Sequence, residues 1–535
     1  MIASEWVLVH VRLPNAFGIN ELQIIMKFTA ILSIITIVKL LTVDLFYKIL
    51  QYVLSKLHLY NTIQGIPGPK AYPIIGNVHL FLGDNEGITQ RFLNIGWNYD
   101  SLWRIWIGTK LLVIVNNPEY IKKVLNNPNI TEKSEEYKYM KSFAGNGLIC
   151  SPAKIWNPHR KILNEVFHKK YLNFYVDVLV NHSVVLMEKL ETLVGEEIDV
   201  CHYVFRCALD IIYDSLFDTQ VNSLTDENCK LDETIHCLMD ITVQRIFKIW
   251  LQPNIIFRNT AMGKKFQTCA SYLNDIASNI IKEKKESMLR SIIKRELKEE
   301  NSGKKQNPRI LLDYLFESSH EGRKYSEQDI RDEINTMVIA GSDTSAVTIS
   351  FVLLMLATFP HIQNEVYDEL YQIYGSSDPK YVPITYDDIA RMKLLERVIK
   401  ETLRLFPPGP IVARKVTQDI EVTKNLTIPK GSTVGFLIYK THRNEKYWPQ
   451  PLVFDPDRFL PGRNSSACFF PFSYGKRNCI GQIFAMLEMK VIITTLIRKF
   501  IIKIDQPKAI EEISIKMDVT IKPAKPIRLK FERRN

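Results

Sequence analysis

The chain has 535 residues, 46% hydrophobic, 24% charged and 10% aromatic, which excludes disorder for its bulk. Its 22 glycines and 25 prolines exclude collagen-like and linker-like chains, and a single long apolar run excludes a polytopic membrane protein. A net charge of +11 suits an acidic protein partner or an anionic membrane surface; the densest basic stretch, Lys282 to Arg309, carries five interleaved glutamates and reads as a solvated helix and loop, not a nucleic-acid stripe.

Residues 1–25 read as an N-terminal extension, because Met26-Lys27, directly before the apolar run, is a more natural start. Residues 26–60 read as a membrane anchor. Within them Phe28–Tyr47 has the length a bilayer requires, at the cost of Lys39 and Asp44. An amphipathic surface helix is the alternative. No small-residue cleavage pattern follows, which favours a retained anchor over a signal peptide. Lys48, Lys56 and Lys70 then place the bulk of the chain on the cytosolic side. Residues 61–77, with Ile66-Pro67-Gly68-Pro69 and Pro73-Ile74-Ile75-Gly76, form a stiff, extended proline-rich hinge. Residues 78–535 form one large body.

In that body, Leu102–Ile107 and Leu111–Val115 around Gly108 predict a hairpin. Most of 117–406 carries apolar residues at helical spacing, including a long helix from about Ser326 to Phe359. Thr433–Ile438 and the last thirty residues read as strands. The fold class is mainly α with small β-sheets, an α+β arrangement around one core. Eight cysteines without a C-x-x-C pair fit a reducing compartment; all but Cys479 read as buried apolar thiols. Ile246–Phe257 is strongly apolar, broken by Pro253 and flanked by Arg245, Arg258, Lys264 and Lys265. It reads either as a bilayer contact or as a buried helix bent at its proline.

The stretch Phe472-Ser473-Tyr474-Gly475-Lys476-Arg477-Asn478-Cys479-Ile480-Gly481 carries the chemistry. Gly475 and Gly481 bracket the thiol with room for a tight turn and a flat ligand. Arg477 can meet an anion. The apolar helical pattern that follows puts Cys479 at a helix start, where a thiolate is favoured as a soft axial ligand to iron. Glu401 and Arg404 share a helix face. Ala340-Gly341-Ser342-Asp343-Thr344-Ser345 puts polar groups inside an apolar helix. In Trp156-Asn157-Pro158-His159-Arg160 an indole and a guanidinium both suit a carboxylate, and Pro158 predicts a helix start at or near itself.

The cysteine stretch matches F-x-x-G-x-R-x-C-x-G in full and resembles the signature of cytochrome P-450, the haem-thiolate monooxygenases. The other motifs stand in that family's order, and the resemblance covers roughly residues 62–520. Pro471-Phe472-Ser473 and Asn478-Cys479-Ile480-Gly481-Gln482 are similar to the branch with fatty-acid ω-hydroxylases and many insect enzymes. The resemblance implies a helix-rich prism with haem b between two central helices and Cys479 as axial iron ligand. It implies Phe472, Gly475, Gly481 and Gly341 around the cofactor, and Trp156, Arg160, Arg414 and Arg477 as propionate donors. Glu401, Arg404 and Arg458 become a buried structural network, and Asp343 and Thr344 the proton donors. Ala340 stands where haem-esterifying relatives have Glu, so the haem is non-covalent. Implied partners are NADPH–cytochrome P-450 reductase, docked through Lys161, Lys169, Lys170 and Lys476, and cytochrome b5. The implied setting is the endoplasmic reticulum membrane with the catalytic domain in the cytosol. Phe143, Val338 and Ile411 line a pocket for a lipophilic substrate: fatty acid, hydrocarbon, odorant or plant toxin. A haem-thiolate peroxide isomerase and a non-catalytic haem or lipid binder are the alternatives.

Overall fold

The computed structural model describes residues 19–167, 172–297, 310–320, 325–463 and 467–534. The chain divides into Met1–Gln64 and Gly65–Asn535. In the first unit Ile19–Thr62 is one helix, uninterrupted by proline or glycine. Val43, Leu45, Phe46, Tyr47, Leu54 and Leu57 are exposed along it. Asp44 is neutralised locally by Lys48 at 2.6 Å, one turn on. The helix begins at Ile19, ahead of Met26; most of the 1–25 extension lies outside the described residues.

In the second unit the proline-rich segment, expected as a stiff, extended hinge, is bonded along a strand. Arg104 donates its N–H to Pro67 O at 2.8 Å. A Cβ on Gly68 would meet Arg104 O at 2.3 Å, so glycine is required for this approach. Asn77 closes the junction: its Nδ2 donates to Lys70 O and its Oδ1 accepts from Trp106 N–H, both at 2.9 Å.

Leu102–Ile107 and Lys110–Val115 form the expected hairpin, with Gly108 at φ 62°. Lys110–Val115 pairs in parallel with Thr433–Leu437, which pairs antiparallel with Ile411–Lys415, completing a four-stranded sheet. The last strand was not among the strands expected from the sequence. Its pairing partner lies far along the chain, so no local signal marks it. The chain end supplies the hairpin Ile515–Asp518 and Thr520–Pro523 and the strand Arg528–Arg533.

The core is helical. Ser326 caps the central helix Glu327–Thr358 in a reciprocal capping box with Asp329. This helix has the length and composition of a membrane span, yet 83% of its apolar window is buried inside the fold. It packs against Val200–Phe217, Ala261–Leu297 and Gln482–Lys499. Pro158 lies inside the helix Ala153–Asn164, which starts at Ala153 and not at the proline. Ile155 and Trp156 already donate to Pro152 O, so the turn before the proline is closed. Of the seven cysteines expected to be buried, only Cys150 and Cys207 are; the other five are half-buried, and all eight thiols are free. Where described, the basic stretch is ion-paired: Lys284 with Asp313 at 2.6 Å and Lys285 with Glu327 at 2.5 Å.

Candidate active site

Two backbone bonds wind the cysteine loop. Cys479 N–H donates to Phe472 O at 2.9 Å, and Asn478 N–H to Gly475 O at 3.2 Å. Gly475 sits at φ 76°, and a Cβ there would strike Leu125 O at 2.5 Å, so the turn requires glycine. Gly481 differs: its φ is ordinary and no protein atom lies within 4 Å of where a Cβ would stand. It caps the helix Gln482–Lys499, which puts Cys479 two residues before a helix N-terminus. Cys479 is exposed, yet the protein packed around it still pushes its thiol up, while the Gly481 N–H and Arg160 pull it down. A bound metal cation deprotonates such a thiol outright.

The central helix carries a narrow accessible strip. Between Asp332 and Ala357 only Ala340, Gly341 and Thr344 are more than marginally accessible, and they share one face. Thr344 Oγ1 donates to Ala340 O at 2.7 Å. A Cβ on Gly341 would meet Ile212 Cδ1 at 2.4 Å, so this glycine also lets Val200–Phe217 close onto the central helix. Asp343 turns the other way. Its carboxylate is fully buried, takes a short hydrogen bond from Thr520 Oγ1 and faces Lys522 Nζ at 2.8 Å. Burial pulls this carboxyl upward, but Lys522 and then His236 outweigh it, and the group ends below its usual range.

A cation cluster flanks the cysteine loop. Trp156 is 6% exposed and carries the Arg477 guanidinium over its ring at 4.7 Å. Arg477 Nη2 donates to Ser151 O at 2.8 Å, but its buried Nε and Nη1 have no partner. Burial, then Arg414, pushes Arg477 down to about 10. Burial and these two arginines likewise hold Lys133 well below the usual lysine range. Glu132, the acid acting on Arg477, already accepts from Ala153 N–H at 3.1 Å. Buried cations with orphaned donors call for an anion, and a pair of carboxylates such as haem propionates fits. Arg160 has another partner: it grips Asn478, with Nη1 to the backbone O at 2.9 Å and Nη2 to Oδ1 at 3.1 Å. It therefore braces the thiolate loop.

Glu401 and Arg404 are both fully buried and doubly bonded, Nε to Oε2 at 2.7 Å and Nη2 to Oε1 at 2.8 Å. Arg404 Nη1 also donates to His442 O and Pro451 O. Arg458 Nε reaches Glu401 Oε1 at 3.3 Å, and Asp455 N–H reaches the same oxygen at 3.0 Å. Two guanidiniums share one carboxylate, and backbone carbonyls take their remaining donors, the satisfaction a buried network requires.

Phe472 is half-buried against the core, and Lys161 and Lys476 are exposed. Lys169 and Lys170 lie outside the described residues. Ile411 is partly accessible, whereas Phe143 and Val338 are packed in the core, Phe143 edge-on to Phe266 at 5.8 Å. Four residues that carry the site gave no local signal: Lys133, Lys522, Glu333 and Glu488. Glu333 binds His159 Nδ1 at 2.9 Å and so ties the Trp156 helix to the central helix. Glu333, Glu488 and Lys522 each meet a partner more than ninety residues away, beyond the reach of any spacing rule.

A cysteine at a helix start, an orphaned cation cluster beside it and a glutamate–arginine network define a haem-thiolate protein. The chain matches the Cytochrome P450 family over residues 66–531 and belongs to it. It is 33% identical over 498 residues to Cytochrome P450 4c3 of Drosophila melanogaster, covering 89% of this chain and 91% of that one. To Cytochrome P450 4c21 of Blattella germanica it is 33% identical, covering 94% and 100%. To human Cytochrome P450 4V2 it is 31% identical, covering 92% and 94%. The chain is thus a cytochrome P450 monooxygenase, an oxidoreductase that uses haem iron.

Proposed function

We propose that this enzyme inserts one oxygen atom of O2 into a lipophilic substrate: a fatty acid, hydrocarbon, odorant or xenobiotic. NADPH–cytochrome P450 reductase supplies the electrons, with cytochrome b5 as a second donor. The observation that carries the reading is Cys479 at a helix start beside the unpartnered donors of Arg477. A haem b held there supplies the oxygen activation and the redox chemistry.

The residues divide the remaining work. Cys479 ligates the iron, and Arg160 braces its loop through Asn478. Arg477, Arg414 and Trp156 hold the propionates, with Lys133 adding charge. Ala340 offers no carboxylate for an ester, so the haem stays non-covalent. Thr344 holds a proton on the accessible strip of the central helix, and Asp343 replenishes it. Glu401, Arg404 and Arg458 fix the segment that precedes the cysteine loop. Lys161 and Lys476 offer cations to an acidic redox partner. The apolar helix Ile19–Thr62 anchors the protein in the endoplasmic reticulum membrane with the catalytic domain in the cytosol.

The test is NADPH-dependent oxygen uptake with added reductase over a panel of lipophiles, with products read by mass spectrometry. A product one oxygen heavier, labelled from 18O2, supports the reading. Turnover of a peroxide without oxygen or reductase would establish the isomerase instead, and haem binding without either reaction a binder.

A further inference from the structure

Two consecutive helices of the body, Leu231–Phe247 and Ala261–Leu297, pack side by side. The connection between them is fastened to the first helix by Arg245. Its Nε donates to Leu251 O at 3.0 Å, its Nη2 to Gln252 O at 3.2 Å, and its guanidinium lies over the Phe257 ring at 4.0 Å. Further along the seam lies an open pocket of about 470 Å³, with Cys237 and Asp240 of the first helix and Lys265 of the second in its wall.

Cys269 follows Lys265 by one helical turn, on the same face. That turn brings it to Cys237, and the two thiols hydrogen-bond to each other across the seam. Both are half-buried, and both are free. Partial burial pushes the Cys237 thiol up to about 12, with Cys269 adding to the rise and Lys265 opposing it. Cys237 therefore keeps its proton and donates it, and Cys269 is the accepting sulfur.

We propose that Cys237 and Cys269 are a reversible oxidation site, a dithiol that hydrogen peroxide converts to a disulfide stapling the two helices together. Cys269 Sγ attacks one peroxide oxygen. An S–O bond forms, the O–O bond breaks, and the departing hydroxide takes the Cys269 proton and leaves as water. Cys237 Sγ then attacks the Cys269 sulfur. The S–S bond forms, the S–O bond breaks, and a second water leaves with the Cys237 proton. Both thiols are oxidised and the peroxide is reduced to water. The pocket gives the peroxide access to the pair, and in a reducing compartment such a disulfide is of the transient, redox-sensing kind. The crosslink closes the stretch of chain that carries Trp250, Ile255 and Ile256, and so limits how far the two helices and their connection open.

The test is treatment of the haem-loaded, full-length protein with hydrogen peroxide, followed by alkylation, digestion and mass spectrometry. The peptides carrying Cys237 and Cys269 should appear joined and should separate after dithiothreitol. On oxidation the urea midpoint should rise and trypsin cleavage after the exposed Arg258 should slow severalfold, both reversing on reduction. Cys237→Ser should abolish the joined peptide and leave on Cys269 a sulfenic acid that dimedone captures, whereas Cys269→Ser should leave Cys237 unmodified. Cys201, which lines the same pocket, is the control, and Cys201→Ser should leave the crosslink intact. The proposal is overturned if both thiols remain alkylatable once the peroxide is consumed, or if either is joined to another cysteine. It is overturned equally if the joined peptide forms with no change in midpoint or cleavage. The peptide map of the wild-type protein decides between these outcomes even where a serine variant does not fold.

Discussion

Glu488 offers the sharpest physical test of the core around the site. It lies on Gln482–Lys499, nine residues after Cys479, and is fully buried. Its Oε2 accepts from Ser345 Oγ at 2.6 Å, and its Oε1 has no partner. Burial pushes this carboxyl from 4.5 up to about 8, with the Ser345 bond pulling only part of the way back. The folded protein therefore keeps Glu488 protonated at pH values where the unfolded chain ionises it. Stability from this group is fully present below pH 4.5 and is lost as pH rises toward 8. At about 1.4 kcal/mol per pH unit, the interval comes to at most about 5 kcal/mol. Glu488→Gln removes the titration and retains an acceptor for Ser345. The assay is the unfolding free energy in urea from pH 4.5 to 8, taken as variant minus wild type so that other titrating groups cancel. The difference should climb toward the variant by several kcal/mol across that window. Cys207, the neighbouring thiol, is held well above 9.0 and stays neutral throughout. Parallel curves would refute the reasoning, because they would mean that Glu488 is already ionised in the fold.

Arg404→Leu strands the Glu401 carboxylate and should cost about 3–5 kcal/mol, read as a lower urea midpoint and loss of the thiolate-type carbon monoxide band. Glu401→Leu/Arg404→Leu should recover part of that loss. Acid acetone should extract all haem as free cofactor, since Ala340 cannot form an ester; haem left on the denatured chain would contradict this. Thr344→Ala should let NADPH consumption continue while peroxide rises and product falls. The expected second membrane contact divides in the structure: Leu251 and Phe257 are buried, while Trp250 and Ile256 are about half exposed and Ile255 is 78% exposed. With residues 1–60 removed, liposome binding should persist and should fall when Trp250→Asp and Ile256→Asp are introduced together.

The features legible in the sequence are those whose cause is local. The capping box at Ser326, the hairpin around Gly108 and the glycine turn at Gly475 each follow from a few neighbouring residues and their allowed backbone angles. The pair Glu401 and Arg404 follows from helix periodicity, and the cysteine stretch from its spacing. Even there, position in a motif told less than packing did. Arg160 and Arg477 read alike as anion donors, yet only Arg477 keeps unpartnered nitrogens, because Asn478 occupies Arg160. Asp343 read as a partner of Thr344, and the fold turns its carboxylate toward a strand 177 residues away. Nothing adjacent in the sequence singles out Lys133 or Lys522. The burial of Lys522, the half-burial of Lys133 and the charge each places on its surroundings exist only once separate elements close around them. A side chain's charge state and direction depend on how much water the fold removes and which opposite charge it brings near, and neither quantity is encoded in residues adjacent along the chain.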